Sequence, residues 1–121
     1  WSRLPERYGA VRDALREALG RPAIVFCHLS HAYADGASLY FTFLAAARRG
    51  AEIEQWRTAK AAACEAIVAT EGTITHHHAV GRDHLPYMRP EVGELGLEAL
   101  RAVKERLDPA EVMNPGKLLP T

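Results

Sequence analysis

Five of the six histidines in the chain fall into two groups, His28 with His31 and the run His76-His77-His78, and His84 stands just downstream of the run. Tyr33 follows His31 by two positions. If Cys27 to Tyr33 is extended, side chains two apart share a face, so His31 and Tyr33 point one way while His28 and Ser30 point the other. An imidazole beside a phenol can act as an acid/base pair. Tyrosine, with a reference pKa of about 10, needs a cation or a hydrogen-bond donor to favour its phenolate, and His31 or the histidine run could supply one. Spacing alone favours a plainer reading of Tyr33 as a half-buried turn residue whose hydroxyl caps a loop.

The same period-two logic puts His76 and His78 on one face of an extended segment and His77 on the other. Two imidazoles on one face can ligate a metal, but a stable zinc site needs three or four ligands. No Asp, Glu or Cys stands at supporting spacing, so no metal is expected. The other use is electrostatic: imidazoles titrating near neutrality can donate hydrogen bonds to a phosphate or carboxylate, or relay a proton beside a cofactor. A solvated run at a strand end is the ordinary alternative. Gly72 and Gly81 bracket the segment and would permit close approach of a flat partner, although loop geometry explains them as well. Asn114-Pro115-Gly116 reads by itself as a tight turn.

Composition excludes several classes. Fifteen Lys plus Arg balance fifteen Asp plus Glu, which leaves no global field for a nucleic-acid backbone. Cys27 and Cys64 lack a CxxC spacing and lie in apolar surroundings, so they read as buried thiols in a reducing compartment. The apolar stretch Ser38 to Ala47 is too short to span a bilayer, and a soluble cytoplasmic protein is expected. No GxGxxG, P-loop or GxSxG motif is present. The chain opens on Trp1 rather than Met, which suggests the retained part of something longer, and the chemistry it carries is expected to be incomplete.

The elements that must position these residues follow from periodicity. Tyr8, Val11, Leu15, Ala18 and Leu19 recur at helical spacing from Glu6 to Leu19, with Gly20 and Pro22 as the stop. Ala23 to His31 and Ala37 to Phe43 read as two antiparallel strands, with Asp35-Gly36 as a hairpin signal. Ile53, Trp56, Ala63, Cys64, Ile67 and Val68 mark a second helix to about Thr70, ended by Gly72. Thr73 to Val80 reads as a third strand, or a strand breaking into loop. Pro90 opens a third helix with a buried stripe of Val92, Leu95, Leu100, Val103 and Leu107, stopped at Asp108-Pro109. The length suits one modest domain, and the pattern predicts an α+β fold, an antiparallel sheet with helices packed on one face. Three strands are few, so further strands are expected from sequence outside the chain.

Taken in order, the motifs resemble a known family. They are His28-Leu29-Ser30-His31-Ala32-Tyr33, Asp35-Gly36-Ala37 leading into Leu39-Tyr40-Phe41-Thr42-Phe43, Gly72-Thr73-Ile74-Thr75-His76-His77-His78-Ala79-Val80-Gly81, Asp108-Pro109 and Met113-Asn114-Pro115-Gly116-Lys117-Leu118-Leu119. The set resembles the C-terminal region of FAD-linked oxidases of the vanillyl-alcohol-oxidase type, and within them the alkyldihydroxyacetonephosphate synthase group and its bacterial relatives. The histidine run followed by a small residue, Val and Gly is the specific part. Ala79 stands where the group has Gly.

The resemblance implies a ferredoxin-like cap domain over residues 1–121, whose C-terminal tail returns toward an absent N-terminal domain that holds FAD. It implies that Tyr33 corresponds to a tyrosine proposed for proton transfer at the substrate carbon. His31 stands beside it, and His76, His77 and His78 are implied to lie near the flavin and a phosphorylated or carboxylate-bearing substrate. His77, His78 and Asn114 are the implied cofactor contacts. The implied reaction exchanges the acyl group of an acyl-dihydroxyacetone phosphate for a fatty alcohol on a flavin adduct, giving an ether-lipid precursor without net oxidation. The isolated segment would be inactive. Peripheral membrane association through lipid substrates and a homodimer fit the same picture. The Ala- and Arg-rich composition points to a bacterial source, and Leu119-Pro120-Thr121 is not a peroxisomal address. Two alternatives stay open, a relative oxidising a 2-hydroxy acid such as D-lactate or glycolate, and a self-contained metal-binding or interaction module built on the histidine run.

Overall fold

A computed structural model describes residues 1–119 and divides into two compact units, Trp1–Gly72 and Thr73–Thr121. The reading of the terminal tripeptide falls in part on residues 120 and 121, outside the described residues.

In the first unit, α1 (Leu4–Leu19) leads into an antiparallel pair, β1 (Ala23–Ala32) and β2 (Ala37–Ala45), and then α2 (Glu52–Ala69). The expected stripe of α1 does bury itself: Val11, Leu15 and Leu19 form the core with Ala59 of α2, and Val25, Phe41, Phe43, Ala63 and Ile67 pack around them. A fully buried leucine such as Leu15 contributes about 1.5–3 kcal/mol over an exposed one. α1 packs against both strands and against α2, which leaves Ile24, Phe26, His28, Tyr40 and Leu44 exposed on the outer face of the hairpin. Gly20 ends α1 at φ +71, a conformation that costs a Cβ-bearing residue dearly.

The hairpin turns differently from expectation. Gly36 does not take a positive φ; the connection spans residues 33–36 and is closed by the Tyr33 N–H donating to the Gly36 carbonyl at 2.7 Å. The left-handed residue is His31, at φ 49. Register runs Ser30 against Ser38 and then Ala32 against Ala37, so His31 is the extra residue of a β-bulge.

The end of α2 is also displaced by one residue. Glu71, at φ 56, takes the left-handed position that Gly72 was expected to fill. The Gly72 N–H donates to the Ile67 carbonyl and the Glu71 N–H to the Val68 carbonyl, both at 2.9 Å, which is a Schellman ending. Gly72 is needed for a different reason: a Cβ there would lie 3.0 Å from Ile67 Cγ2 and 3.3 Å from the Ile67 carbonyl oxygen. α2 has no basic residue in its last turn, and Arg7 of α1 supplies the missing cation by donating to the Thr70 and Glu71 carbonyls at 3.1 and 2.8 Å.

Among the described residues, the second unit contains a 3-10 turn (Leu85–Tyr87) and α3 (Met88–Leu107). The expected third strand over residues 73–80 does not form among the described residues. Its β-branched start is only three residues long, and the Ile74 N–H that would enter a ladder is taken by Glu91 Oε2 at 3.0 Å. Pro90 lies inside the first turn of α3 rather than at its first position, and Gly93, at φ 71 and ψ 173, breaks the helix soon after. The expected stripe is corrected as well. Val92, Leu95, Val103 and Leu107 are exposed, while Met88 and Leu97 are buried. α3 carries apolar residues on two faces, and the covered one runs through Leu97, Leu100, Lys104 and Asp108 at helical spacing. The helix stops at Asp108-Pro109 as its sequence dictates.

Candidate functional site

The first unit carries His28, His31 and Tyr33. His28 faces Tyr40 across the hairpin, and their rings stack at 5.1 Å with 25° between planes, on the outer face. This cross-strand pair is part of what the regular register dictates. His31 is not: the bulge takes it out of the strand alternation, so the shared-face argument that linked it to Tyr33 loses its premise. Its Nδ1 lies 2.8 Å from Ser30 Oγ. Tyr33 sits in the loop beyond the bulge with about half its surface exposed, and both its backbone polar groups are engaged. Its N–H is the one that closes the loop, and its carbonyl accepts the Trp1 indole Nε1–H at 3.0 Å. The backbone under the phenol is therefore held while the ring stays accessible.

The second unit carries the histidine run and Asn114. With no strand, His76 and His78 are not ordered by period two; the three rings stand in a chain of near-perpendicular contacts, 5.1 Å between His76 and His77 and 4.3 Å between His77 and His78. His76 Nδ1 and His77 Nδ1 are 2.9 Å apart. One of the two must donate and the other accept, so the pair shares a proton along one line. All three rings are exposed, as an anion-binding donor set requires. The loop is fixed at one end by the Glu91 bond to Ile74, which is itself buried, and turns through Ala79 at φ 61 and Gly81 at φ 59. His84 Nδ1 lies 3.4 Å from the Ala79 carbonyl.

Asn114 is left-handed, at φ 46, at the tip of the turn that follows α3. In the sequence Asp108 reads only as a helix stop. Its buried carboxylate instead accepts the Val112 N–H at 3.0 Å and the Met113 N–H at 2.9 Å, and pairs with the Lys104 ammonium. The Lys104 bond, followed by those from Met113 and Val112, holds the Asp108 carboxyl below the usual carboxylate range. A Lys four residues before an Asp at the end of a helix was the available signal, because i,i+4 residues share a face. Glu91 was missed for a different reason, since nothing in its local sequence shows that it receives the Ile74 N–H.

Residues 1–118 match the family model described as FAD linked oxidases, C-terminal domain. The chain is 37% identical over 115 residues to alkyldihydroxyacetonephosphate synthase of Trypanosoma brucei brucei, covering 93% of the chain and 19% of that relative. It is 35% identical over 102 residues to the enzyme of the same name from Dictyostelium discoideum, covering 84% of the chain and 17% of the relative. Similarity extends to glycolate oxidase subunit GlcD of Bacillus subtilis, at 32% over 105 residues, covering 87% of the chain and 22% of the relative. The chain thus spans about a fifth of the length of the curated relatives it matches.

Proposed function

Because this chain belongs to the C-terminal domain family of the FAD-linked oxidases, we propose that it forms the substrate side of a flavoenzyme of the alkyldihydroxyacetonephosphate synthase kind, completed by a flavin-binding domain N-terminal to it. The observation that carries this reading is the exposed chain of three imidazoles, His76 to His78, in a chain that also resembles those synthases over most of its length. The donor set fits the group. Exposed imidazole N–H groups suit an oxyanion or the carbonyl edge of a flavin, and the Asn114 carboxamide can both donate and accept.

When bound, FAD supplies the ring that takes up and returns electrons during the exchange. The chain's own residues do the rest. Tyr33, fixed by its backbone and exposed at its ring, moves a proton to and from the substrate carbon beside the carbonyl, with His31 as its neighbour. His76, His77 and His78 bind and orient the substrate phosphate, with His77 and His78 also toward the cofactor. In the overall reaction the bond between the dihydroxyacetone carbon and the ester oxygen breaks, the fatty acid leaves with both its oxygens and takes up the alcohol's proton, and the fatty alcohol oxygen bonds to that carbon with no net oxidation.

The relatives that act on 2-hydroxy acids define the second reading, favoured by the similarity to the glycolate oxidase subunit. Tyr33→Phe in the flavoprotein that carries this domain separates the two. Loss of substrate α-proton exchange by roughly a hundredfold or more, with the flavin still bound, is the expected result. Unchanged exchange, or flavin reduction by D-lactate or glycolate in place of exchange, overturns the synthase reading.

The remaining features follow from the same proposal. Lipid substrates bring peripheral membrane contact, and no described helix is long and apolar enough to cross a bilayer. A homodimer and a reducing cytoplasmic location complete it. Sedimentation of the flavoprotein with and without phospholipid vesicles tests assembly and membrane contact together.

A further inference from the structure

The turn after α3 is built on left-handed residues. Within six residues, Glu111 at φ 53, Asn114 at φ 46 and Gly116 at φ 64 are all left-handed. Only the last is a glycine. Asparagine tolerates the left-handed region better than most residues, so Asn114 can make the turn while presenting a carboxamide at its tip, and the turn keeps one shape only if neighbouring groups fix it.

The fixing groups are Asp108 and Lys104. Asp108 Oδ1 accepts the Val112 N–H and Oδ2 accepts the Met113 N–H, while Oδ2 also pairs with the Lys104 ammonium. Lys104 in turn donates to the Met113 carbonyl at 2.7 Å. Both polar backbone groups of Met113 are therefore clamped. The Met113 carbonyl belongs to the peptide plane shared with Asn114, so the clamp sets the plane from which the Asn114 side chain projects. The Asp108–Lys104 pair is anchored on the covered face of α3, with Asp108 buried, and so it links a rigid element to the turn.

We propose that Asp108 and Lys104 are positioning residues that hold the Asn114 carboxamide in place for the cofactor. This rests on the reading that Asn114 faces the flavin. It goes further in assigning the precision of that contact to a carboxylate–ammonium pair that touches no ligand. Asp108→Asn keeps shape and volume but leaves one acceptor oxygen for three donors, so at least one backbone N–H or the ammonium loses its partner. Supporting groups of this kind contribute roughly 10–100-fold to binding where they have been measured around metals, and a loss of about tenfold in FAD affinity is expected here.

The test is a double-mutant cycle in the flavoprotein that carries this domain, reading the FAD dissociation constant, with amide exchange at Val112 and Met113 followed in the flavin-free protein. Asn114→Ala and Asp108→Asn should each weaken FAD, and the double variant should be no worse than Asn114→Ala alone, because Asp108 acts through Asn114. Asp108→Asn should also speed exchange at the two amides before any cofactor is added. Lys104→Met, which leaves the two backbone bonds in place, should shift FAD affinity in the same direction by less. If Asn114→Ala weakens FAD while Asp108→Asn does not, or if the two effects add in full, the positioning role is overturned and the Asn114 contact stands. If Asn114→Ala leaves FAD affinity unchanged, the Asn114 contact falls and the positioning role with it.

Discussion

Replacing His31 with glycine tests whether a β-bulge, rather than a regular strand, sets the backbone at this position. A left-handed backbone costs a residue with a Cβ about 1–2 kcal/mol, and His31 sits at φ 49. Glycine removes that cost but adds about 0.5–1 kcal/mol of unfolded-chain entropy. It also loses the exposed bond to Ser30 Oγ, which contributes about 0.5 kcal/mol. The sum runs from slightly destabilising to about 1 kcal/mol stabilising. His31→Val loses the same bond and forces a β-branched side chain into the left-handed region, so after the entropy cost of glycine is subtracted it should lie about 1 kcal/mol or more below the glycine variant. For a unit of this size that gap is roughly 4 °C or more in Tm. His28→Gly is the control: His28 occupies regular register opposite Tyr40, so there glycine should cost about 1 kcal/mol. Urea unfolding of the three variants reads all these differences. If His31→Gly costs as much as His28→Gly, or His31→Val is no worse than His31→Gly, the bulge geometry does not govern this position and the reasoning fails.

Leu15→Ala should destabilise the first unit by about 3 kcal/mol, because Leu15 is only 1% exposed and belongs to a core packed from both the helices and the strands; a loss below about 1 kcal/mol in denaturant unfolding would contradict that packing. Gly72→Ala should cost about 1–2 kcal/mol through the 3.0 and 3.3 Å approaches to Ile67, even though its φ suits alanine; a neutral result would mean that the end of α2 can yield. Asp108 gives a pH signature. Its folded pKa is depressed, so the unfolded chain binds the proton more readily, and its stabilisation is present above the ordinary carboxylate pKa of about 4 and lost as pH falls through the folded value. Acid titration of stability should therefore be shallower in Asp108→Asn than in the parent, and identical slopes would sink the assignment.

The pattern of apolar residues located α1, both strands and α2 to within a few positions, because each of these elements has one face that must be covered and one that need not be. Errors came where local geometry competes with period. The bulge at His31 and the left-handed Glu71 each move a positive φ by a residue or more from the glycine that advertises it. The Thr73-Ile74-Thr75 strand signal lost to a single long-range acceptor, Glu91, which no local spacing reveals. In α3 the sequence has two apolar faces, and only packing decides that Leu97 rather than Leu95 is inside. Among the candidate site residues, their identity was legible from type and spacing, and the supports beneath them were not. Trp1 under Tyr33, Glu91 under the histidine loop and Asp108 under Asn114 act through backbone groups, which carry no sequence signature.

The most direct test of the account is product analysis on the flavoprotein that carries this domain, supplied with acyl-dihydroxyacetone phosphate and a labelled long-chain alcohol. One alkyl ether product per fatty acid released is expected, with no oxidant consumed and with the yield lost in Tyr33→Phe. Bleaching of the flavin by glycolate or D-lactate, with no ether product from the lipid substrates, would contradict it.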